Sequence, residues 1–150
     1  MKKTVIFDLD GTLALIDERR SLASKPNGKI DWDVFFAPAN IPLDKPNVSV
    51  IEMAKILDAK GYSIVIFSGR DAISRAETIE WLNKYGVPFD LLKMKPKGSF
   101  THDYILKLGW LEEFFPDKSS VLCAFDDRDK VVKMWRDNGI DCFQVAEGNF

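Results

Sequence analysis

Short, almost uninterrupted apolar runs rich in β-branched residues alternate with segments of helical period along most of this chain, and few architectures accommodate that alternation. A strand that is apolar on both faces must be covered on both faces, which a parallel sheet with helices above and below provides. The runs fall at residues 4–7, 63–67, 120–125 and 140–145, with a weaker one at 89–92. The spacing predicts helices over 47–60, 72–85, 102–114 and 128–137. Their borders carry the matching punctuation: Gly61 after the first, Asp71 placed to cap the second, Gly86 and Pro88 beyond its end, and Asn138-Gly139 after the last. At 150 residues, with no internal repeat, the chain has the size of one domain. The expected fold is therefore α/β: a doubly wound, Rossmann-like parallel sheet with helices on both faces, spanning 1–150.

Residues 14–45 break the alternation. They hold Pro26, Pro38, Pro42, Asn27-Gly28 and the aromatic patch Trp32, Phe35, Phe36, without sustained period. A loop of that length inside a compact domain is usually functional, so the segment reads as a small lid inserted after the first strand. The alternative is a surface excursion whose aromatics anchor it to the core.

Several function classes drop out. With 21 basic and 23 acidic side chains the net charge is only −2, so no global basic field advertises a nucleic-acid partner. The apolar run Val5-Ile6-Phe7 ends at once in Asp8, which fits neither a signal peptide nor a membrane span and leads to the expectation of a cytoplasmic protein without a membrane partner. Cys123 and Cys142 lie in apolar runs outside any CxxC, as buried free thiols do. The single histidine, His102, excludes His-cluster metal centres, and no GxSxG elbow accompanies it.

In a doubly wound sheet the strand C-termini open on one edge, where ligands bind. Asp8-Leu9-Asp10-Gly11-Thr12 follows the first strand, Ser68-Gly69-Arg70 the second, and Asp126-Asp127-Arg128 the fourth. The fold brings these groups to one crevice. Four carboxylates in a small volume raise one another's pKa unless a cation neutralises them, and hard oxygen donors suit Mg²⁺. Ser68, backbone N–H groups near Gly69 and the charge of Lys107 add what a phosphoryl group needs. Taken singly, each piece has a plainer reading: an Asx turn at Asp8-x-Asp10, an ordinary Ser-Gly-Arg turn, a helix cap at Asp126-Asp127, an i,i+4 pair between Asp103 and Lys107. Those plainer roles do not require acid, hydroxyl and base in this order at successive strand ends.

Asp8-Leu9-Asp10-Gly11-Thr12-Leu13, Ser68, Lys107 and Asp126-Asp127 resemble, in order and setting, the four motifs of the haloacid dehalogenase-like phosphatases. The run from Asp126 to Arg136, with Gly139, Cys142, Gln144-Val145-Ala146 and Gly148, is similar to the 3′-phosphatase module of bacteriophage polynucleotide kinase-phosphatases. Arg19 and Ser68-Gly69-Arg70 sit where that module carries its phosphate-handling arginines and serine. The likeness weakens between Arg20 and Asn47, and no GxxxxGK[ST] loop is present for a kinase half, so the chain reads as a stand-alone phosphatase or an excised domain with a separate kinase or ligase partner.

The resemblance implies a Mg²⁺-dependent phosphomonoesterase acting on 3′-phosphate nucleic-acid ends or 3′-nucleotides through an aspartyl-phosphate. In it Asp8 is the nucleophile, Asp10 the acid and then base, and Lys107 the catalytic cation. Thr12, Arg19, Ser68, Gly69, Arg70 and Asp103 handle phosphate, with Asp103 orienting Lys107 across one helical turn. Mg²⁺ falls to Asp8, Asp10, Asp126 and Asp127. A viral source, also only implied, would place the chain in a host cytoplasm. Two other readings stand beside it: a phosphatase of free nucleotides or sugar phosphates, and a module that binds phosphorylated ends without turnover. Lys93, Lys95 and Lys97, with Arg19, Arg20, Lys25 and Lys29, form either a track for a strand or solvated basic surface, and Trp32, Phe35 or Phe36 offer a stacking face.

Overall fold

The computed structural model describes residues 2–150. In chain order its elements are β1 (Thr4–Phe7), β2 (Ala14–Leu15), α1 (Asp17–Ala23), α2 (Trp32–Phe35), β3 (Lys45–Pro46), α3 (Val48–Ala59), β4 (Ser63–Asp71), α4 (Arg75–Lys84), β5 (Leu91–Lys95), α5 (Asp103–Phe114), β6 (Val121–Asp126), α6 (Asp129–Asp137) and β7 (Cys142–Gln144). Five strands pair in parallel in the order β5-β4-β1-β6-β7. β1 is central, and the chain builds outward from it first through β4 and later through β6. Its C-terminal end is thus the switch point where an open α/β sheet forms its crevice.

The two-residue period of the strands sorts the core into two layers. Val5 and Phe7 face one layer with Ile64, Ile66, Ile51 and Ala54 of α3 and Trp81 and Leu82 of α4. Ile6, Val65 and Phe67 face the other with Trp110 and Leu111 of α5 and Val131, Val132 and Trp135 of α6. Each such buried side chain contributes about 1.5–3 kcal/mol by leaving water. The doubly wound arrangement read from the apolar runs is the observed one.

Three local features differ from the sequence reading. β4 continues through Asp71, because buried Ser68 and a register shift between Ser68 and Asp71 let it stay paired with Met94 and Lys95 of β5. Ser68-Gly69-Arg70 is therefore strand and not the turn after it. The helix expected over 72–85 begins as a 3-10 turn, Ala72–Ser74, where the Asp71 carboxylate accepts from the Ile73 N–H at 2.8 Å. Residues 14–45 contain short elements that a period search over four to seven residues does not detect. β2 and β3 pair antiparallel, Ala14 opposite Pro46, and close the base of a segment holding α1, α2 and a 3-10 helix, Pro38–Leu43. Within it Phe35 and Ile41 are buried anchors, whereas Trp32 is 57% exposed.

Both cysteines are buried and unpaired. Burial, with Asp141 adding to it, pushes the Cys123 thiol up to about 11, and burial followed by Asp126 pushes Cys142 up to about 12. Since the thiolate is the reactive form, the native chain is expected to take up no alkylating reagent at pH 8 and to take up two equivalents once unfolded, as read by intact mass. Among the described residues no helix is long and apolar enough to cross a membrane.

Candidate active site

The turn after β1 sets the first half of the site. Leu9 is fully buried, and its carbonyl accepts from the N–H groups of Thr12, Leu13 and Ala14 at 3.1, 3.0 and 2.9 Å. That compact turn needs Gly11 at φ +81°, where a Cβ would stand 2.2 Å from Asp127 Oδ2. It aims Asp8, only 7% exposed, at the ends of the neighbouring strands.

Lys107, buried on α5, donates to Asp8 Oδ1 at 2.8 Å and to Asp126 Oδ2 at 2.9 Å. Asp126 Oδ2 also accepts from the Trp135 indole at 3.3 Å, and its Oδ1 from the backbone N–H of Asp127 at 2.9 Å and of Arg128 at 3.4 Å. Thr12 Oγ1 reaches Asp8 Oδ2 at 3.0 Å and Asp127 Oδ1 at 3.4 Å. One carboxylate oxygen from each of Asp8, Asp126 and Asp127 lies within 4.8 Å of the others, and all three residues are buried. Three acids thus face one lysine. Burial first, then the Asp126 charge, push the Asp8 carboxyl well above the ordinary carboxylate range, and burial also raises Asp127. For Lys107 burial acts downward, but Asp126 and Asp8 outweigh it and hold the ammonium well above its usual value.

Asp10 belongs to a second network. Arg19 donates through Nε to Asp44 Oδ1 at 2.9 Å, through Nη2 to Asp10 Oδ1 at 2.8 Å and Asp44 Oδ2 at 3.0 Å, and through Nη1 to the Phe35 carbonyl at 2.9 Å. Arg70 donates through Nε and Nη2 to Asp10 Oδ1, through Nη2 to Asp44 Oδ2 at 2.9 Å, and through Nη1 to Thr78 at 3.0 Å. Both guanidinium side chains are fully buried. Burial pushes Asp10 upward, yet Arg70 and Arg19 together outweigh it and hold the carboxyl below the usual range. Asp44, drawn down by the same arginines, is raised on balance by burial.

Where the resemblance implies phosphate-handling arginines, the structure shows Arg19 and Arg70 engaged by Asp10 and Asp44, with Arg70 also lining the cleft. Two buried cations require carboxylate partners, and Asp10 and Asp44 supply them. Asp44 was not singled out in the sequence, where it is one acid in a loop; its only signal is its place beside Lys45-Pro46, where the inserted segment rejoins the fold. Asp103, expected to orient Lys107, has other partners. It bonds Arg128 at 3.1 Å and Lys95 at 3.4 Å, and not Lys107, whose Nζ is drawn inward to the two buried acids. Asp103 also lies so close to Gly69 that a Cβ there would meet it at 2.3 Å.

Ser68, fully buried at the distal part of β4, accepts from the Arg70 N–H at 3.0 Å. The Asp126-Asp127-Arg128 turn is braced from behind: Gln144 donates to the Asp127 carbonyl at 3.0 Å, and Gly148 packs so tightly that a Cβ would sit 1.9 Å from that oxygen. The lysines of β5 do not form one patch. Lys93 lies over the Trp110 and Phe114 rings, Lys95 pairs with Asp103, and Lys97 is exposed. One cleft collects Asp8, Asp10, Gly69, Lys107 and the Asp126-Asp127 pair, and it is also lined by Arg20, Trp32 and Phe36 of the inserted segment and by Arg128 and Phe150.

Comparison with known proteins agrees with this geometry. Residues 2–150 match the family model of the polynucleotide kinase PNKP phosphatase domain. A protein of Autographa californica nuclear polyhedrosis virus, described as a bifunctional polynucleotide kinase/RNA ligase, is 34% identical over 140 residues, which is 90% of this chain and 18% of that protein. A chain of the Pnkp1/Rnl/Hen1 RNA repair complex matches with a TM-score of 0.84 at 33% identity, over 100% of this chain and 44% of its own length. The chain therefore spans less than half of either relative. A haloacid dehalogenase-like hydrolase of Streptococcus pneumoniae, 13% identical, shares the fold with a TM-score of 0.71 over 95% of this chain and 84% of its own. With its whole described length inside the family match and two carboxylate networks meeting at the central strand, the chain belongs to the polynucleotide kinase phosphatase-domain family, a branch of the haloacid dehalogenase-like phosphatases.

Proposed function

We infer that this phosphatase removes the 3′-phosphate from nucleic-acid ends in a Mg²⁺-dependent reaction, with Asp8 as nucleophile. The observation that carries the reading is the buried meeting of Asp8, Asp126 and Asp127 against Lys107, which leaves an excess of negative charge where an anion must enter unless a cation joins the site. The donors fit Mg²⁺, being hard oxygens converging from separate elements. Asp8, Asp127 and the Asp10 carbonyl would hold the ion. Asp126, whose oxygens already accept four hydrogen bonds, serves more as the brace for Lys107, while Asp127 accepts only a long one from Thr12. When bound, the ion supplies the charge neutralisation that lets an anionic phosphate approach an anionic carboxylate.

Asp8 attacks phosphorus, the bond to the 3′ oxygen breaks, and an aspartyl-phosphate forms that water then hydrolyses. The arriving phosphate anion favours the protonated form of Asp10 over the ionised form its arginines hold at rest, and Asp10 gives that proton to the leaving oxygen and takes one back from the attacking water. All its arginine contacts fall on Oδ1, so Oδ2 is the atom left to carry that proton. Arg19 and Arg70 act by fixing Asp10, and Ser68, Lys107 and the Gly69 backbone meet the phosphate oxygens. Residues 14–45 serve as the lid. Support for nucleic-acid ends comes from the relatives, one described as a polynucleotide kinase/RNA ligase and one part of an RNA repair complex; they equally support a kinase or ligase, fused or separate, working on the same ends.

The reading is tested by phosphate release from a 3′-phosphorylated oligonucleotide and from a hexose phosphate, with Mg²⁺ and after chelation. Release from the oligonucleotide at a kcat/KM at least about tenfold higher, lost with the chelator and restored by added Mg²⁺, is expected from differential binding of the larger substrate. Equal turnover of the hexose phosphate, or release indifferent to the chelator, overturns it.

A further inference from the structure

Trp32 stands apart from the other tryptophans of the chain. Trp81, Trp110 and Trp135 are 4%, 7% and 1% exposed and belong to the core, whereas Trp32 is 57% exposed and lines the catalytic cleft. Leaving so large an apolar ring in water is unfavourable unless something covers it in the working state. The ring is not a loose surface residue. Its short helix α2 is capped by Asp31, which accepts from the N–H groups of Asp33 and Val34. Asn40 donates to the Val34 carbonyl at 2.8 Å, and Arg19 to that of Phe35 at 2.9 Å. Phe35 beneath meets Trp32 edge-on at 5.4 Å and lies under the Arg19 guanidinium at 4.3 Å, while Phe36 stacks beside Trp32 at 5.6 Å and 21°. Arg19, which bonds Asp10, therefore also ties down this aromatic platform and links the ring to the reacting carboxylates.

The rest of the rim has the same character. Arg20 and Arg128 each lie 5.1 Å from the Phe150 ring, and all three line the cleft. Among the described residues, the cleft is lined by charged, aromatic and aliphatic side chains and glycine, the aromatic rings lying beside the cations. A flat π-system linked to phosphate would find a stacking face and cations.

Resting on the functional reading above, we propose that Trp32, backed by Phe36, stacks on the nucleobase of the terminal nucleotide that carries the phosphate, and so selects base-bearing ends without reading base identity. Stacking of this kind is tolerant of sequence because every base presents a π-face.

The test uses two 3′-phosphorylated oligonucleotides that differ only in the last residue, one a normal nucleotide and the other an abasic analogue. The parent chain is expected to prefer the base-bearing end, with little difference among the four bases. Trp32→Ala should lower kcat/KM on that end by about 10- to 100-fold, chiefly through KM, lower it far less on the abasic end, and be rescued by Trp32→Phe. A second readout does not depend on turnover. Binding of the base-bearing oligonucleotide to Asp8→Asn should quench the emission of the exposed tryptophan, the abasic one should not, and the quench should vanish when Trp32→Phe is added. Equal losses on both ends in Trp32→Ala, no preference by the parent, or an unquenched Trp32 overturns the proposal. No release from either oligonucleotide by the parent overturns the functional reading, and this one with it.

Discussion

Asp8→Asn is expected to abolish phosphate release, by at least about 10³-fold in kcat, and at the same time to make the metal-free chain more stable. The two effects have one cause. Asp8 is held next to Asp126 and Asp127, with Lys107 as the buried cation that bonds it, and its carboxyl lies well above the ordinary range because of burial and then Asp126. A carboxylate of raised folded pKa binds its proton more tightly in the native than in the unfolded state, so stability is lost as pH rises through that folded value. Asparagine carries no such charge. The gain should therefore be present at pH 7 in chelator and should disappear below the ordinary carboxylate pKa of about 3.9, where both states of the parent are protonated. Added Mg²⁺ should stabilise the parent more than the variant, since a ligand of the native state stabilises it by RT ln(1 + [L]/Kd) and so by more where it binds more tightly. Melts in chelator and in Mg²⁺ at two pH values read all of this. A variant less stable than the parent in chelator at pH 7 would show that Lys107 needs Asp8 more than the three acids repel one another.

The largest stability effect is expected from a residue with no place in any motif. Asp44→Asn removes the charge that Arg19 and Arg70 share at 2.9–3.0 Å, and both guanidinium side chains are fully buried. Breaking a buried ion network by deleting one partner costs roughly 3–5 kcal/mol, because the remaining charges lose compensation they cannot recover from water. At this chain length each kcal/mol moves the melting temperature by about 2–4 °C, so a fall on the order of 10 °C should follow. Activity should fall as well in molecules that remain folded, since both arginines position Asp10 at a single oxygen. Asp44→Glu restores the charge at a different reach and should recover part of the stability but little of the activity. A melting temperature within a degree of the parent for Asp44→Asn would contradict the assignment of the network.

The contrast between Asp8 and Asp44 shows what the sequence made legible. Asp8, Asp10, Ser68 and Asp126-Asp127 fall at one edge because each ends or follows a strand whose apolar run announces it, and Lys107 joins them from the helix between two of those strands. The layers of the core were legible for the same reason. Asp44 was not, since its meaning lies in contacts 25 residues away at Arg19 and 26 away at Arg70, across an insertion whose elements are too short for periodicity. The tie of Arg19 and Arg70 to Asp44 is hidden with it, since nothing in the sequence pairs either arginine with that acid. Asp103 was misread because i,i+4 spacing allows contact with Lys107 without deciding it; Lys107 met two buried acids instead. Trp32 and Phe35 are three residues apart with the same aromatic character, and only the packing of α2 decides that one anchors and the other faces the cleft.

The central claim is that a terminal 3′-phosphate is removed in the crevice built on Asp8. It is tested most directly by following phosphate release in Mg²⁺ from one oligonucleotide labelled at its 3′ end or at its 5′ end, by the parent chain and by Asp8→Asn. The account predicts release from the 3′ end alone, lost in the variant. Release from the 5′ end at a comparable rate, or 3′ release undiminished by Asp8→Asn, would contradict it.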